Sequence, residues 1–200
     1  MYSYGGEDDL ILKHFGDFKG RFLDIGAWDG KQISNTYAFA QAGWYGVEVE
    51  GSFDCIAPWL KNMGSFPKIS LINAAMGVTN GVVDWYYVLG CESTASERIK
   101  LRTDARQTAI AYKTGLITIA DIQKAFPGDF DYISIDIEDW SIPVMQSIPY
   151  DKLNTKAVCI EYLHKEMFGV EEDKAITEWM SKTCGFKHLA TTSENVIMVR

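Results

Sequence analysis

The sequence predicts an α/β fold: a three-layer sandwich around a mostly parallel sheet, closed by an antiparallel C-terminal hairpin. Three observations carry this. Short apolar runs alternate with helical periodicity over residues 22–75 in the order βαβαβ, which favours parallel strands joined by crossover helices. The apolar run Phe22-Leu23-Asp24-Ile25 stops at Gly26 and Gly30, a strand and tight turn of the kind that holds nucleotide-like ligands in open α/β sheets. Only Thr192-Ser193-Glu194-Asn195 separates the last two β-like runs. A parallel pair needs a crossover of about a dozen residues, so these two must be antiparallel.

The elements follow in order. Residues 1–20 form an entry helix with apolar Leu10, Ile11, Leu12 and Phe15. Residues 22–26 are the first strand. A helix is predicted over residues 32–42, with Gly43 as its stop. Residues 45–49 make a second strand, which runs into Glu50. Residues 52–62 are weakly helical, interrupted by Pro58. Residues 69–75 are a third strand. The β-rich run 82–88 follows the turn signal Thr79-Asn80-Gly81 and is expected to form a hairpin with residues 71–77. Residues 89–116 lack clean periodicity and read as a lid or insertion.

Alternation resumes at Thr118, where Thr118-Ile119-Ala120-Asp121 has the form of a capping start; Pro127-Gly128 ends that helix. Residues 132–137 and 157–162 are the fourth and fifth strands, with a short helix near 143–147 between them. Residues 171–183 are an amphipathic helix with Ile176, Trp179, Met180 and Thr183 on its apolar side. Residues 186–191 and 196–200 are the closing hairpin.

Composition narrows the function classes. A chain of 200 residues, 47% hydrophobic and 23% charged, is ordinary for one globular domain, and residues 1–200 are expected to form one. No apolar run reaches membrane-spanning length, and the N-terminus lacks the basic start of a secretion signal. Cys55, Cys91, Cys159 and Cys184 form no CxxC pair, which speaks against structural zinc and for a reduced, cytoplasmic setting. A net charge of −8 argues against a broad nucleic-acid-binding surface.

Two constellations carry chemistry. In the first, Gly26 and Gly30 shape the turn, Asp24 sits at the end of strand one, and Glu50 ends strand two. A carboxylate at that place can accept from both hydroxyls of a ribose. In the second, Asp136, Glu138 and Asp139 follow strand four, and Glu161 and His164 follow strand five. Carboxyl ends of parallel strands meet at the ligand crevice, so these groups can serve a general base, a metal, or both. A helix N-cap is the plainer account of Asp139, and a surface or packed imidazole that of His164.

The segment 96–113 carries Arg98, Lys100, Arg102, Arg106 and Lys113 against Glu97 and Asp104, a net +3 in an acidic chain. It suits a phosphate or carboxylate on a substrate, with Arg98 and Arg102 on the substrate side, and equally a solvated helix face. Trp28, inside the glycine turn, can line the pocket. Trp44 and Trp85 fit core or pocket wall.

Taken together, these segments resemble the FkbM family of S-adenosylmethionine-dependent methyltransferases over nearly the whole chain. Ser3-Tyr4-Gly5-Gly6-Glu7-Asp8 resembles its entry motif, and Asp24-Ile25-Gly26-Ala27-Trp28-Asp29-Gly30 its glycine loop. Gly43-Trp44-Tyr45-Gly46-Val47-Glu48-Val49-Glu50, Asn73-Ala74-Ala75, Ile135-Asp136-Ile137-Glu138 and Ile160-Glu161 resemble later motifs. The resemblance implies a class I, Rossmann-like seven-stranded sheet with an antiparallel last strand. It implies that Asp24, Gly26, Ala27 and Gly30 surround the methionine part of the cofactor. Glu50 would hold the ribose, and Asn73 and Ala74 would lie near the adenine. It also implies O-methylation of a sugar or other small molecule. Trp28 stands where the family often has a smaller residue, and Asp139 where it usually has glycine.

The expected activity is therefore methyl transfer from S-adenosylmethionine to a hydroxyl of a glycan or small molecule, with Asp136, Glu138 and Glu161 as the catalytic acids. A divalent metal on Asp136, Glu161 and His164 is a variant that is not expected. Neither nucleic acid nor membrane is expected as a partner. The rivals are a nucleotide-dependent oxidoreductase and a non-catalytic cofactor-binding module.

Overall fold

The computed structural model describes residues 1–87, 110–163 and 171–200. In chain order it runs α1 (Glu7–Phe15), β1 (Arg21–Ile25), α2 (Tyr37–Gln41), β2 (Tyr45–Glu50), α3 (Ile56–Met63), β3 (Ile69–Asn73), β4 (Ala75–Met76), β5 (Gly81–Tyr87) and β6 (Ile110–Ile117). It continues with α4 (Ile119–Ala125), β7 (Tyr132–Ile135), α5 (Ser141–Ser147), β8 (Ala157–Glu161), α6 (Glu172–Cys184), β9 (Lys187–Thr191) and β10 (Asn195–Val199).

Seven strands form the main sheet in the order β3-β2-β1-β7-β8-β10-β9. The first five are parallel, and β10 runs antiparallel to both β8 and β9. The closing hairpin is as expected, with β10 inserted between β8 and β9. None of the described helices is long and apolar enough to cross a membrane.

Strand alternation sorts the side chains. Leu23, Ile25, Val47, Val49, Ile133, Ile135, Val158, Ile160, Val196 and Met198 pack with Ile122 of α4, Val144 and Met145 of α5, and Ile176 and Met180 of α6. Phe22, Tyr132, Ala157, Cys159, Ile197 and Val199 pack on the other face with Ile11, Phe39, Trp44, Trp59 and Met63. By the same parity, Asp24, Glu48, Glu50, Ser134, Asp136, Glu161 and Asn195 belong to this second face. Polar residues therefore gather at one edge of one face, above an apolar layer.

Several local expectations change. The helix predicted over 32–42 begins only at Tyr37. Before it, Asp29 Oδ1 accepts from the backbone N–H groups of Lys31 and Gln32, both at 2.8 Å, and Ser34 Oγ from those of Thr36 and Tyr37. These side chains offer the backbone an alternative to the helix ladder. Pro58 does not interrupt α3. It lies in the first turn, where no intrahelical N–H bond is lost.

The hairpin partner of β5 is β6, antiparallel, rather than residues 71–77; the two-residue β4 pairs parallel with β6. The lid boundary shifts accordingly, because residues 110–117 are strand, and residues 88–109 lie outside the described residues. Lys113 is ion-paired with Asp84, its cross-strand partner on β5. Thr183 is exposed, so the apolar side of α6 is narrower than expected. The capping start at Thr118 forms a reciprocal box: Asp121 Oδ2 accepts from both the backbone N–H and the hydroxyl of Thr118.

Candidate active site

A cavity of about 270 Å³ opens at the carboxyl ends of β1, β2 and β7, close to the lower end of the range for small-ligand pockets. Its wall includes Asp24, Gly26, Ala27, Trp28, Glu50, Ala74, Trp85, Asp136, Glu138, Glu161 and Asn195. Six acids line it, Asp24, Glu50, Asp136, Glu138, Glu161 and Glu194, and no lysine or arginine does so among the described residues.

Gly26 is fixed by geometry. Its φ is +93°, and a Cβ there would overlap the Asp136 carbonyl oxygen. The turn is pinned by the N–H groups of Gly26 and Ala27, which both donate to Val49 O at 2.9 and 3.2 Å. Glu50 completes it. Oε2 accepts from the Trp28 N–H at 2.8 Å and Oε1 from the Ser52 N–H at 2.7 Å. Each oxygen keeps a further lone-pair site for a ligand. The Trp28 backbone has φ +48°, and its ring is half-buried in the cavity wall.

The small sheet supports this end. Thr114 donates to Gly51 O, Tyr112 OH donates to Ser52 Oγ, and the Trp85 ring covers Gly51 so closely that a Cβ would not fit. Trp85 Nε1 is buried without a hydrogen-bond partner among the described residues.

Two expected cofactor residues lie outside the cavity wall. Gly30 packs against Trp59 and Met63, and Asn73 donates to Glu50 O and Ser52 O at 2.8 and 3.2 Å. Asn73 thus shapes the loop after Glu50 from behind. Asp139 also lies outside the wall. His164, Arg98 and Arg102 lie outside the described residues. No group of three or more His, Cys, Asp or Glu is placed to hold a metal ion among the described residues.

The electrostatics follow from burial. Burial pushes the Asp24 carboxyl up to about 7, against the Thr36 hydroxyl that donates to it at 2.6 Å, and the Asp136 charge adds to the rise. Burial likewise raises Glu50, against its Ser52 and Trp28 N–H donors. Glu161 lies well above its ordinary value through burial and the charges of Asp136 and Glu138. Asp136 is raised by burial but held down by a hydrogen bond from Glu161. Both carboxyls therefore resist ionisation, Glu161 more strongly than Asp136. The Glu138 N–H donates to Glu161 Oε2 at 3.1 Å and fixes its orientation.

Behind the cavity, Glu48 is fully buried. Its Oε2 accepts from Trp59 Nε1 and its Oε1 has no partner among the described residues. Burial and the Asp24 charge hold its pKa well above 4.5. The folded state thus binds a proton that the unfolded state releases, and stability falls as pH rises from the unfolded pKa through the folded one. Glu48→Gln keeps an acceptor for Trp59 and removes the titration. As pH rises above the unfolded-state value, its melting temperature is expected to fall less than that of the wild type, as read by thermal scans.

Sequence reasoning missed Thr36, Tyr4, Trp140, Glu194 and Asn195. Thr36 and Asn195 had a usable signal. A hydroxyl just before a helix can reach the strand-end acid. An antiparallel strand brings its first residue, not its last, to the edge where parallel strands end.

Comparison with known proteins agrees with this geometry. The sequence matches the family described as Methyltransferase FkbM domain over residues 24–188. No curated protein matches the chain. Among solved structures, a candidate caffeoyl-CoA O-methyltransferase from Staphylococcus aureus aligns with a TM-score of 0.57 at 12% identity, covering 96% of this chain and 82% of that one. An rRNA methylase from Streptococcus thermophilus aligns at 0.53 and 9% identity, covering 96% and 93%. A candidate RNA methyltransferase from Pyrococcus horikoshii aligns at 0.52 and 12% identity, covering 98% and 84%. At these identities the likeness is one of fold, the class I methyltransferase sheet.

Proposed function

The chain belongs to the FkbM methyltransferase family, and from that premise we propose that it transfers a methyl group from S-adenosylmethionine to a hydroxyl of a sugar or other small molecule. The observation that carries this reading is one cavity holding Glu50 at the end of β2 and the buried carboxyls of Asp136 and Glu161 across the Gly26 turn.

The residues present fit the cofactor. Glu50 keeps acceptor sites for a ribose diol. The close approach of Asp136 keeps Gly26 free of a side chain. Six acids suit a ligand with positive charge. When bound, S-adenosylmethionine supplies an electrophilic methyl group on a sulfonium. The chain's own part is to hold Asp136 ionised beside the acceptor, where it takes the hydroxyl proton, while Glu161 stays protonated and limits repulsion within the pair. Orientation of the acceptor against the cofactor supplies much of the remaining acceleration.

A phosphate-rich acceptor is disfavoured by the acidic wall, so nucleic acid is not proposed. A nucleotide-dependent oxidoreductase is disfavoured by β10, which runs antiparallel where such a domain continues with parallel βαβ units.

The test is calorimetry with S-adenosylhomocysteine and, separately, NAD. S-Adenosylhomocysteine is expected to bind and NAD not to. Glu50→Ala should weaken S-adenosylhomocysteine about 10- to 100-fold, the loss of charge-assisted hydrogen bonds worth about 1.5–3 kcal/mol. Binding of NAD alone overturns the reading.

A further inference from the structure

Residues 2–5 form a strap between two loops at the cavity. Ser3 makes a parallel bridge with Ile33 in the loop after β1. Gly5 packs on Thr192 of the β9–β10 turn so closely that a Cβ would overlap the Thr192 side chain. In the sheet order β1-β7-β8-β10, the strands between these two anchors are β7 and β8. Tyr4 joins the anchors, and it lines the same cavity as Asp136 and Glu161 at the ends of those strands.

Two adjacent acids at the start of α1 hold the strap. Asp8 Oδ2 accepts from the Tyr2 N–H at 2.7 Å and Oδ1 from the Ser3 hydroxyl at 2.6 Å, and the Asp8 N–H donates back to Ser3 Oγ at 3.2 Å. Glu7 Oε2 accepts from the Gly5 N–H at 2.8 Å. Its Oε1 accepts from the Thr192 hydroxyl and, at 3.2 Å, from Asn195 Nδ2. Both acids are buried. A buried carboxylate is costly unless its oxygens are satisfied, and these oxygens are satisfied by fixing residues 2, 3 and 5. The Tyr2 ring meets Tyr37 of α2 edge-on, with 4.5 Å between centroids. Ser3 is buried, whereas Tyr4 is 70% exposed. Its ring is thus both held in place and open to a ligand.

Trp28, Ile33 and Trp140 line the same cavity, and none of them is buried. Trp28 and Ile33 have φ of +48° and +47°, a region that bulky and β-branched residues avoid. Strain of this kind persists only where the surroundings enforce it, and it gathers at ligand sites. The wall therefore joins aromatic and aliphatic faces to carboxyls. Aromatic faces carry partial negative charge and attract partly positive C–H hydrogens, while carboxyl oxygens accept from hydroxyls. We propose that Tyr4 is a specificity-determining residue for the methyl acceptor, its ring the platform for the C–H face of a saturated, polyhydroxylated ring, and that Asp8 is the positioning residue that holds this platform in place. A linear polyol offers hydroxyls without a face, and a phenol offers a face with a single hydroxyl. The inference rests on the proposed methyl-transfer function for what the site is used for, but its test does not depend on turnover.

The experiment is saturation-transfer NMR on the full chain with methyl β-glucopyranoside, methyl β-galactopyranoside, methyl α-mannopyranoside, sorbitol and phenol, each alone. At least one glycoside is expected to take up saturation, most strongly at the C–H hydrogens of one ring face, and sorbitol and phenol are not. Tyr4→Ala should weaken that glycoside about 10-fold or more, and Tyr4→Phe by no more than about twofold. S-Adenosylhomocysteine affinity, read by calorimetry, should stay within about twofold in both. Because the ring is 70% exposed, the melting temperature of Tyr4→Ala should match the wild type. Asp8→Asn should weaken the glycoside in the wild-type background and have no further effect in Tyr4→Ala, a coupling that a merely structural role does not produce. If Asp8→Asn does not fold, the two Tyr4 variants decide. Absence of glycoside saturation, saturation of sorbitol or phenol alone, or unchanged glycoside affinity in Tyr4→Ala overturns the proposal. Loss of S-adenosylhomocysteine affinity in Tyr4→Ala overturns it too, because it places Tyr4 on the cofactor. Failure of the wild type to bind S-adenosylhomocysteine would instead sink the methyltransferase reading, while the cofactor-free spectra still report on Tyr4.

Discussion

Gly26→Ala is expected to destabilise the protein by about 2–5 kcal/mol and to remove cofactor binding. Two costs add. A non-glycine residue at positive φ costs about 1–2 kcal/mol, and forcing a methyl group into filled space typically costs about 1–3 kcal/mol. The group that blocks the new Cβ is the Asp136 carbonyl oxygen, which is backbone and cannot swing aside. Relief requires β1 and β7 to separate at their carboxyl ends, where Asp136 N–H donates to Ile25 O at 2.8 Å. At about 2–4 °C per kcal/mol for a chain of this size, the melting temperature should drop by roughly 4–20 °C. Gly43→Ala is the control. Gly43 also has positive φ, but open space surrounds its missing Cβ, so only the conformational cost applies and cofactor affinity should hold. Equal effects of the two substitutions would show that overlap with Asp136 is not the deciding term.

Asp136→Asn is expected to lower kcat by about 10²- to 10⁴-fold, the usual range for removing a positioned general base. Affinity for S-adenosylhomocysteine should stay near wild type, because Glu50 and the glycine turn are untouched. Glu161→Gln should cost less. An amide can still donate to Asp136, and what is lost is the titration of Glu161. The pH dependence has a definite sign. Asp136 must be ionised to accept a proton, and burial raises its pKa above 3.8. Turnover should therefore climb with pH through that raised value. The measurement is kcat against pH on an acceptor found by transfer of labelled methyl groups. Full turnover in Asp136→Asn would remove Asp136 from the reaction.

Much of the fold was legible because strand periodicity and crossover length are local signals. Residues 186–200 announced an antiparallel pair through a linker too short for anything else. Asp24, Glu50, Asp136 and Glu161 were legible as strand-end acids. What was not legible depends on tertiary pairing. Nothing within residues 71–88 says that β5 will leave residues 71–77 and pair with a strand more than twenty residues later. The late start of α2 depends on Asp29 and Ser34 capturing backbone N–H groups that a helical pattern would assign elsewhere. Asn195 was missed because the carboxyl-end rule concerns parallel strands, and β10 runs the other way, so its first residue is the one at that edge.

The contact between Glu7 and Asn195 also has a bearing on the order in which the protein forms. It joins residues 188 positions apart, and β10 cannot enter the sheet until β8 is in place beside it. Loop closure over such a span is entropically costly and is recovered only when both partners are already held by their neighbours. The glycine turn and Glu50 draw on residues up to Asp136, through its contact with Gly26 and through Tyr112 and Thr114 beside Ser52 and Gly51, whereas the wall at Asn195 needs nearly the whole chain. The end of the cavity at Glu50 can thus form before β10 arrives, and the wall at Asn195 closes last.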